Sequence, residues 1–210
     1  MNKSKPISIK RLYRYTSIPV LLDMLLNKRL FLSNPKSWTD KTDAAFLEKH
    51  ANGKEIRVLC FFKNGESNQY WELYAKYGCM IEFEAEKLLG DIPKSGFKHR
   101  DVDYVKQNEF NLKECNEILP FVKQLRYKGE REYRIVWIGE EEGENSVFIP
   151  INLNSINKIF ISGDVKEEIA DSLRHLIREI IGRKIKVIHS KLYENNVWIG
   201  KINPKPRKKP

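Results

Sequence analysis

Cysteine is scarce in this chain, and its scarcity closes off two architectures. Cys60, Cys79 and Cys115 are odd in number and share no metal-like spacing, so buried thiols are expected rather than a disulfide framework or a zinc site. The four histidines, His50, His99, His175 and His189, have no H-x-E, H-E-x-x-H or C-x-x-C partner nearby, which argues against a structural metal. No apolar run approaches the roughly 18 to 20 residues that span a bilayer, and "MNKSKPISIK" lacks the apolar core of a secretory signal. A cytoplasmic protein with no membrane partner is expected. Neither G-x-x-x-x-G-K-[ST] nor G-x-G-x-x-G occurs, so kinase, P-loop ATPase and Rossmann readings fall away. G-x-S-x-G is also missing, which weakens a hydrolase of that type.

What is present suits one α+β domain over residues 1–202, followed by a basic tail, 203–210. Lys and Arg outnumber Asp and Glu by 38 to 28, and the net charge of +10 favours an anionic partner such as nucleic acid or a phosphate-bearing ligand. "KINPKPRKKP" carries five basic residues, three prolines and no acid, and should be extended and mobile. A solubilising end and a polyanion contact are both open for it.

Periodicity sets the order of elements. "KRLYRYTS" reads as a strand with Leu12 and Arg14 on one face and Tyr13 and Tyr15 on the other. Ser17 caps a helix to about Asn27 whose apolar face is Ile18, Leu21, Leu22 and Leu25. A short strand "RLFLSN", the turn-rich "PKSWTDKTD" and a buried strand "IRVLCFFKN" follow. Helix "NQYWELYAKY" ends at Gly78, and "CMIEFEAE" alternates as a half-buried strand. Between 87 and 128 a strand at "DVDYV" and a helix over about 110–125, kinked at Pro120, are expected. "EYRIVWIG", the turn "EEEGEN" and "SVFIPI" read as a hairpin, followed by strand "INKIFISG". A helix then starts at Asp164 as N-cap with Glu167 as box partner. Its face is Ile169, Leu173, Leu176, Ile177 and Ile180, Gly182 stops it, and strand "KIKVIHSKLY" closes the domain.

One stretch, "GEREYRIVW", places Glu130 and Glu132 two residues apart with Arg134 two further on, so all three should project from one face of a strand. Solvated pairs on an edge strand would account for it plainly. In the same plain terms Trp71 and Tyr74, three apart on a helix, would be core, and Arg14 would pair with Glu130 or Glu132.

Taken in order, "LYRY", an apolar helix, "RLFLSNP", "VLCFFKN", "YWELYAKYGCMIEF", "EREYRIV" and "INKIFISG" resemble a bacterial domain-of-unknown-function family. Its signatures are LY+Y, S-N-P, C-F-S, W-x-x-Y and E-x-E-Y/W-R. Phe62 and Lys63 stand where that family tends to have Ser, and "KSWTD" follows S-N-P in place of a simple Asn-Asp-Pro turn. More remotely the chain is similar to mono-ADP-ribosyltransferase toxins. That similarity implies an α+β fold with a mostly antiparallel split sheet and flanking helices, NAD as substrate, and a toxin or anti-phage effector acting on nucleic acid. Whether an antitoxin or partner protein accompanies it stays open. It also implies roles: Glu132 at the nicotinamide ribose, Glu130 at the acceptor, and Arg14, Tyr13, Ser33, Trp71, Tyr74 and Arg134 around the NAD. Two rivals stay open, a non-enzymatic nucleic-acid-binding module stacking bases on Tyr and Trp, and a metal-dependent nuclease, whose further acids (Asp40, Asp43, Glu82) the sequence does not place.

Overall fold

The structure is a computed structural model and describes residues 9–140, 147–182 and 184–192; the basic tail and the "EEEGEN" turn after Glu140 lie outside them. Among the described residues, eleven strands and six α-helices follow in the order β1 (Arg11–Thr16), α1 (Ile18–Asn27), β2 (Arg29–Phe31), α2 (Lys41–Ala51), β3 (Glu55–Phe62), α3 (Asn68–Tyr74), β4 (Cys79–Glu84), α4 (Ala85–Gly90), β5 (Phe97–Asp101), β6 (Asp103–Val105), α5 (Leu112–Cys115), β7 (Val122–Gln124), β8 (Glu132–Gly139), β9 (Phe148–Pro150), β10 (Ile156–Ile161), α6 (Glu167–Ile181) and β11 (Lys186–His189). Among the described residues no helix is long and apolar enough to cross a membrane.

Seven strands form one sheet in the order β11-β10-β4-β1-β3-β8-β5, antiparallel except for the β10–β11 pair. The sheet is split at its centre. β1 pairs with β4 along all six of its residues, and β3 pairs with β8 along all eight, but β1 and β3 meet only at Tyr13↔Phe62. Beyond that pair the two strands part, and a gap opens between Arg14 and Cys60.

Packing on the two faces differs. One face carries the main core, where Leu21, Met24 and Leu25 of α1 and Ala170 and Ile177 of α6 cover Leu12, Ile81, Phe83, Phe61 and Ile135. The other is covered in two pieces: α3 lays Tyr70 and Trp71, with Ala75 just after it, on Tyr15, Phe62 and Met80, while α2 lays Leu47 and Ala51 on Ile56, Val58 and Val136. The space between these two pieces lies over the split.

Several expectations change here. The "TDKTD" turn runs into α2, because Asp40 accepts hydrogen bonds from the Thr42 and Asp43 N–H groups at 3.1 Å and caps a helix with Ala44, Leu47 and Ala51 on one face. β4 is buried on both faces, Met80 by α3 and Glu82 by ion pairs to Arg11 (3.3 Å) and Lys158 (3.5 Å). The helix over 110–125 is replaced by α5, a 3-10 turn over Asn116–Phe121 and β7; Pro120 supplies no N–H and disfavours α geometry in the residue before it. No hairpin joins β8 and β9, since both edges of β8 are occupied by β3 and β5, and β9 pairs with β2 instead. The last helix starts at Glu167 after Lys166, not at Asp164, because Asp164 lies in a turn closed on Ser162, whose Oγ accepts from the Asp164 N–H at 3.2 Å and whose carbonyl accepts from the Val165 N–H at 3.1 Å. Ile169 and Leu176 face solvent; Met24 joins the α1 face. Helix α3 ends at Tyr74, four residues before Gly78.

Gly78 has another use. A Cβ at that position would stand 2.2 Å from the Thr16 carbonyl oxygen, a backbone atom with no room to yield. Gly78→Ala should therefore destabilise by about 1–3 kcal/mol, as overpacking does, and lower Tm by roughly 5 °C. A melting curve that superimposes on wild type would show the contact to be loose.

Candidate active site

At the centre of the split, a cleft of about 420 Å³ is lined by Arg14 and Tyr15 of β1, Trp38 and Asp40 of the turn before α2, Asp43 of α2, Cys60 and Phe62 of β3, Tyr74 of α3, and Lys123, Glu130 and Glu132. Its floor is built around Arg134, which is fully buried. An ionised group removed from water must recover its lost hydration from neighbours. Arg134 does so with five bonds from its five N–H groups: Nε and one Nη to the Glu132 carboxylate (2.6 and 3.0 Å), both Nη to Asp43 (2.9 and 2.8 Å), and one Nη to the Pro120 carbonyl (2.8 Å). No donor is left for a phosphate, so Arg134 is a scaffold for the carboxylates and not a group that grips a ligand.

Glu130 and Glu132 converge, though not as successive residues of one strand. Glu130 ends a 3-10 turn over Leu125–Glu130, and Arg131 follows in the left-handed region at φ 44°, so β8 starts only at Glu132. Tyr104 of β6 fixes that start by accepting the Glu132 N–H at 2.7 Å. Lys123, on β7, then joins the acids: its Nζ lies 2.6 Å from Glu130, 3.3 Å from Glu132 and 3.8 Å from Asp43. The other oxygen of Glu130 accepts from the Tyr74 hydroxyl at 3.1 Å. Three carboxylates against two cations leave the cluster with one formal negative charge.

Burial alone would push the Glu132 carboxyl up, but Arg134 and Lys123 outweigh it and hold its pKa at about 2. Burial would lower the Lys123 ammonium, and Glu132, Glu130 and Asp43 together raise it instead. The Tyr74 phenol is raised by burial and then by Glu130. The Cys60 thiol, raised well above its usual value by burial and by Glu132, stays protonated.

Arg14 is built differently. By alternation it starts on the face opposite Glu132, and it lines both the cleft and a smaller cavity beside α1, so its side chain passes through the gap in the sheet. Its Nη1 donates to the Cys60 carbonyl at 3.3 Å, where the β1–β3 ladder is broken. Among the described residues no carboxylate pairs with it, and burial lowers its pKa. The plain pairing of Arg14 with Glu130 or Glu132 does not occur.

Of the sequence-predicted site residues, Arg14, Tyr74, Glu130 and Glu132 share this cleft, with Arg134 beneath it. Trp71 is fully buried, donates to Glu66 at 3.3 Å and packs edge-on against Tyr15, so it is core. Ser33 lies behind the cleft wall, donating to the Val58 carbonyl and accepting from Trp38 Nε1, both at 3.0 Å. Tyr13 is half-buried beside Gly65, outside the lining. Lys123 and Trp38 were missed, and Asp43 figured only as a further acid of the nuclease reading. The Asp40 cap pattern carried a signal for Asp43; Lys123 had none, since its partners lie up to 80 residues away in sequence.

No protein-family model matches this chain, and no curated protein does. Two solved structures resemble it, both of DarT from Thermus sp. 2.9. The complex with ADP-ribosylated ssDNA has a TM-score of 0.48 at 13% identity, covering 91% of this chain and 98% of that one. The complex with carba-NAD+ has a TM-score of 0.43 at 13% identity, covering 88% and 97%.

The depressed Glu132 pKa has a consequence for folding. Glu132 is more acidic in the folded protein than its ordinary 4.5, so the stability it contributes is complete above about pH 4.5 and is lost as pH falls toward about 2. Wild type should therefore lose Tm between pH 5 and 3 more steeply than Glu132→Gln, which has no proton to take up there. Parallel curves for the two proteins would mean that Glu132 is not held ionised by the fold.

Proposed function

We propose that the chain is an NAD-dependent mono-ADP-ribosyltransferase whose acceptor is nucleic acid, in the setting of a toxin or anti-phage effector. The observation that carries this reading is a division of charge within one cleft. Arg14 offers a guanidinium with no carboxylate partner among the described residues, and Glu132 offers a carboxylate kept ionised by two cations. NAD needs both, a cation for its pyrophosphate and an anion beside the ribose that loses nicotinamide.

Chemistry follows from that placement. The C1′–N bond to nicotinamide breaks with its electron pair leaving on the ring nitrogen, and positive charge builds on the ribose. A carboxylate fixed near the ribose hydroxyls lowers the energy of that charge without reorganising. The net negative charge of the acid cluster adds to the effect. The acceptor atom then bonds to C1′ and passes its proton to Glu130, which the Tyr74 hydroxyl orients. Trp38, whose indole nitrogen is fixed by Ser33, gives the cleft an aromatic wall for the nicotinamide or adenine ring.

Support for a nucleic-acid acceptor comes from the turn that carries Glu130. Arg126, Lys128 and Arg131 are exposed there and, among the described residues, form no ion pair with a carboxylate. Cations so placed attract phosphates without reading sequence. The metal-dependent nuclease reading gains less, because Asp43, Glu130 and Glu132 are already paired with Lys123 and Arg134, whose cationic heads stand among the carboxylate oxygens that a metal would need.

Mass spectrometry of single-stranded oligonucleotides and of protein after incubation with NAD tests the proposal, the expected product being an ADP-ribose adduct on the oligonucleotide. Glu132→Gln should lower its yield per unit time about a hundredfold or more, the usual effect of removing an electrostatic group from a transition state. Glu130→Gln should reduce transfer more than nicotinamide release to water. Salt-sensitive oligonucleotide binding with no adduct on any acceptor would favour the non-enzymatic binding module.

A further inference from the structure

We propose that Lys123 is a positioning residue that gathers Glu130 and Glu132 into one acidic pair and ties that pair to α2 through Asp43. The inference rests on the transferase reading only for its kinetic consequence; the geometry stands without it. Asp43, Glu130 and Glu132 arrive from three different segments, and Lys123 Nζ lies within 3.8 Å of all three. Arg134 touches Asp43 and Glu132 but makes no bond to Glu130. Lys123 is thus the one cation of the two that bridges both members of the E-x-E pair.

The surroundings leave it no competing task. Its side chain is 11% exposed, close to Glu130 at 11% and Glu132 at 3%. The groups that face the cluster are Asp43 of α2, the Cys60 thiol of β3, Tyr70 and Tyr74 of α3, Tyr104 of β6 and Arg134 of β8, with the Tyr127 ring 4.8 Å from Lys123 Nζ and Asp40 bonded to that tyrosine. Without Lys123, three carboxylates would share one guanidinium, and two of them would repel at close range. They would then take up a proton or move apart.

Lys123 sits just past Pro120, whose carbonyl accepts from Arg134 at 2.8 Å. The 3-10 turn over Asn116–Phe121 is thereby pinned to the floor, which places Lys123 above it. A methionine would fill the same space without charge, and an arginine would restore the charge with a longer, forked head.

The test uses the full chain as wild type, Lys123→Met and Lys123→Arg, with Lys123→Gln in place of the methionine variant should that fail to fold. Carboxyl ¹³C NMR, with Glu132 assigned against Glu132→Gln, follows the titration without any substrate. The Glu132 midpoint should rise by about one pH unit or more in Lys123→Met, as expected for loss of an adjacent opposite charge, and return toward wild type in Lys123→Arg. The acid limb of NAD turnover should move up by a similar amount. At its optimum kcat should fall about tenfold, with KM for NAD nearly unchanged. An unmoved Glu132 midpoint in the charge-free variant overturns the proposal, whatever the activity. Absence of turnover in wild type would instead overturn the transferase reading, and the NMR result would still decide the role of Lys123.

Discussion

The Arg134 guanidinium is the constraint on which the rest of the site depends. A fully buried cation is tolerated only if its N–H groups all find acceptors, and the acceptors it finds belong to three parts of the chain. Asp43 brings in the start of α2, Glu132 the start of β8, and the Pro120 carbonyl the irregular segment that leads to β7. Removing either carboxylate leaves part of a buried charge unpaired, a loss of about 3–5 kcal/mol for a broken buried pair. The interaction that costs most to bury is therefore the one that fixes how three separate elements meet.

The split between β1 and β3 gives that assembly its use. A continuous ladder would seal the sheet and leave Arg14 on the far face with Leu12. Because the ladder stops at Tyr13↔Phe62, Arg14 reaches through and bonds the Cys60 carbonyl, and the covering helices α2 and α3 stand apart above the opening. The cleft thus brings together an uncompensated cation from β1 and an anionic cluster from α2, the turn before β8 and β8 itself. That polarity matches a ligand with phosphates at one end and a developing cation at the other, and it arises from backbone topology as much as from side-chain choice.

Much of the frame was legible from local pattern. β1, β3, β4 and β10 follow from short apolar runs, α1 from its Ser17 cap, and the end of α6 from Gly182, which adopts the left-handed conformation at φ 66°. The face assignment of β1 also held, with Leu12 on the main core and Tyr15 on the opposite cluster. Failures occurred where partners are distant in sequence. β8 and β9 looked like a hairpin because both are β-rich, but a strand with both edges already taken cannot form one. Glu130 was read as part of the strand, and no local rule shows that Arg131 turns the chain just before β8. Asp43 and Lys123 belong to segments read as a turn and as a helix, so the way this acid and this cation complete the cluster was hidden until the tertiary contacts were known.

The central claim is that one cleft holds a phosphate at Arg14 and a ribose beside Glu132. Calorimetric titration with a non-hydrolysable NAD analogue, on wild type, Arg14→Gln and Glu132→Gln, measures it most directly. Wild type should bind; Arg14→Gln should bind about tenfold or more weakly, as loss of a charge-assisted hydrogen bond to phosphate requires; Glu132→Gln should bind nearly as well as wild type. Equal affinity in wild type and Arg14→Gln, or no binding by the wild-type protein, would contradict the account.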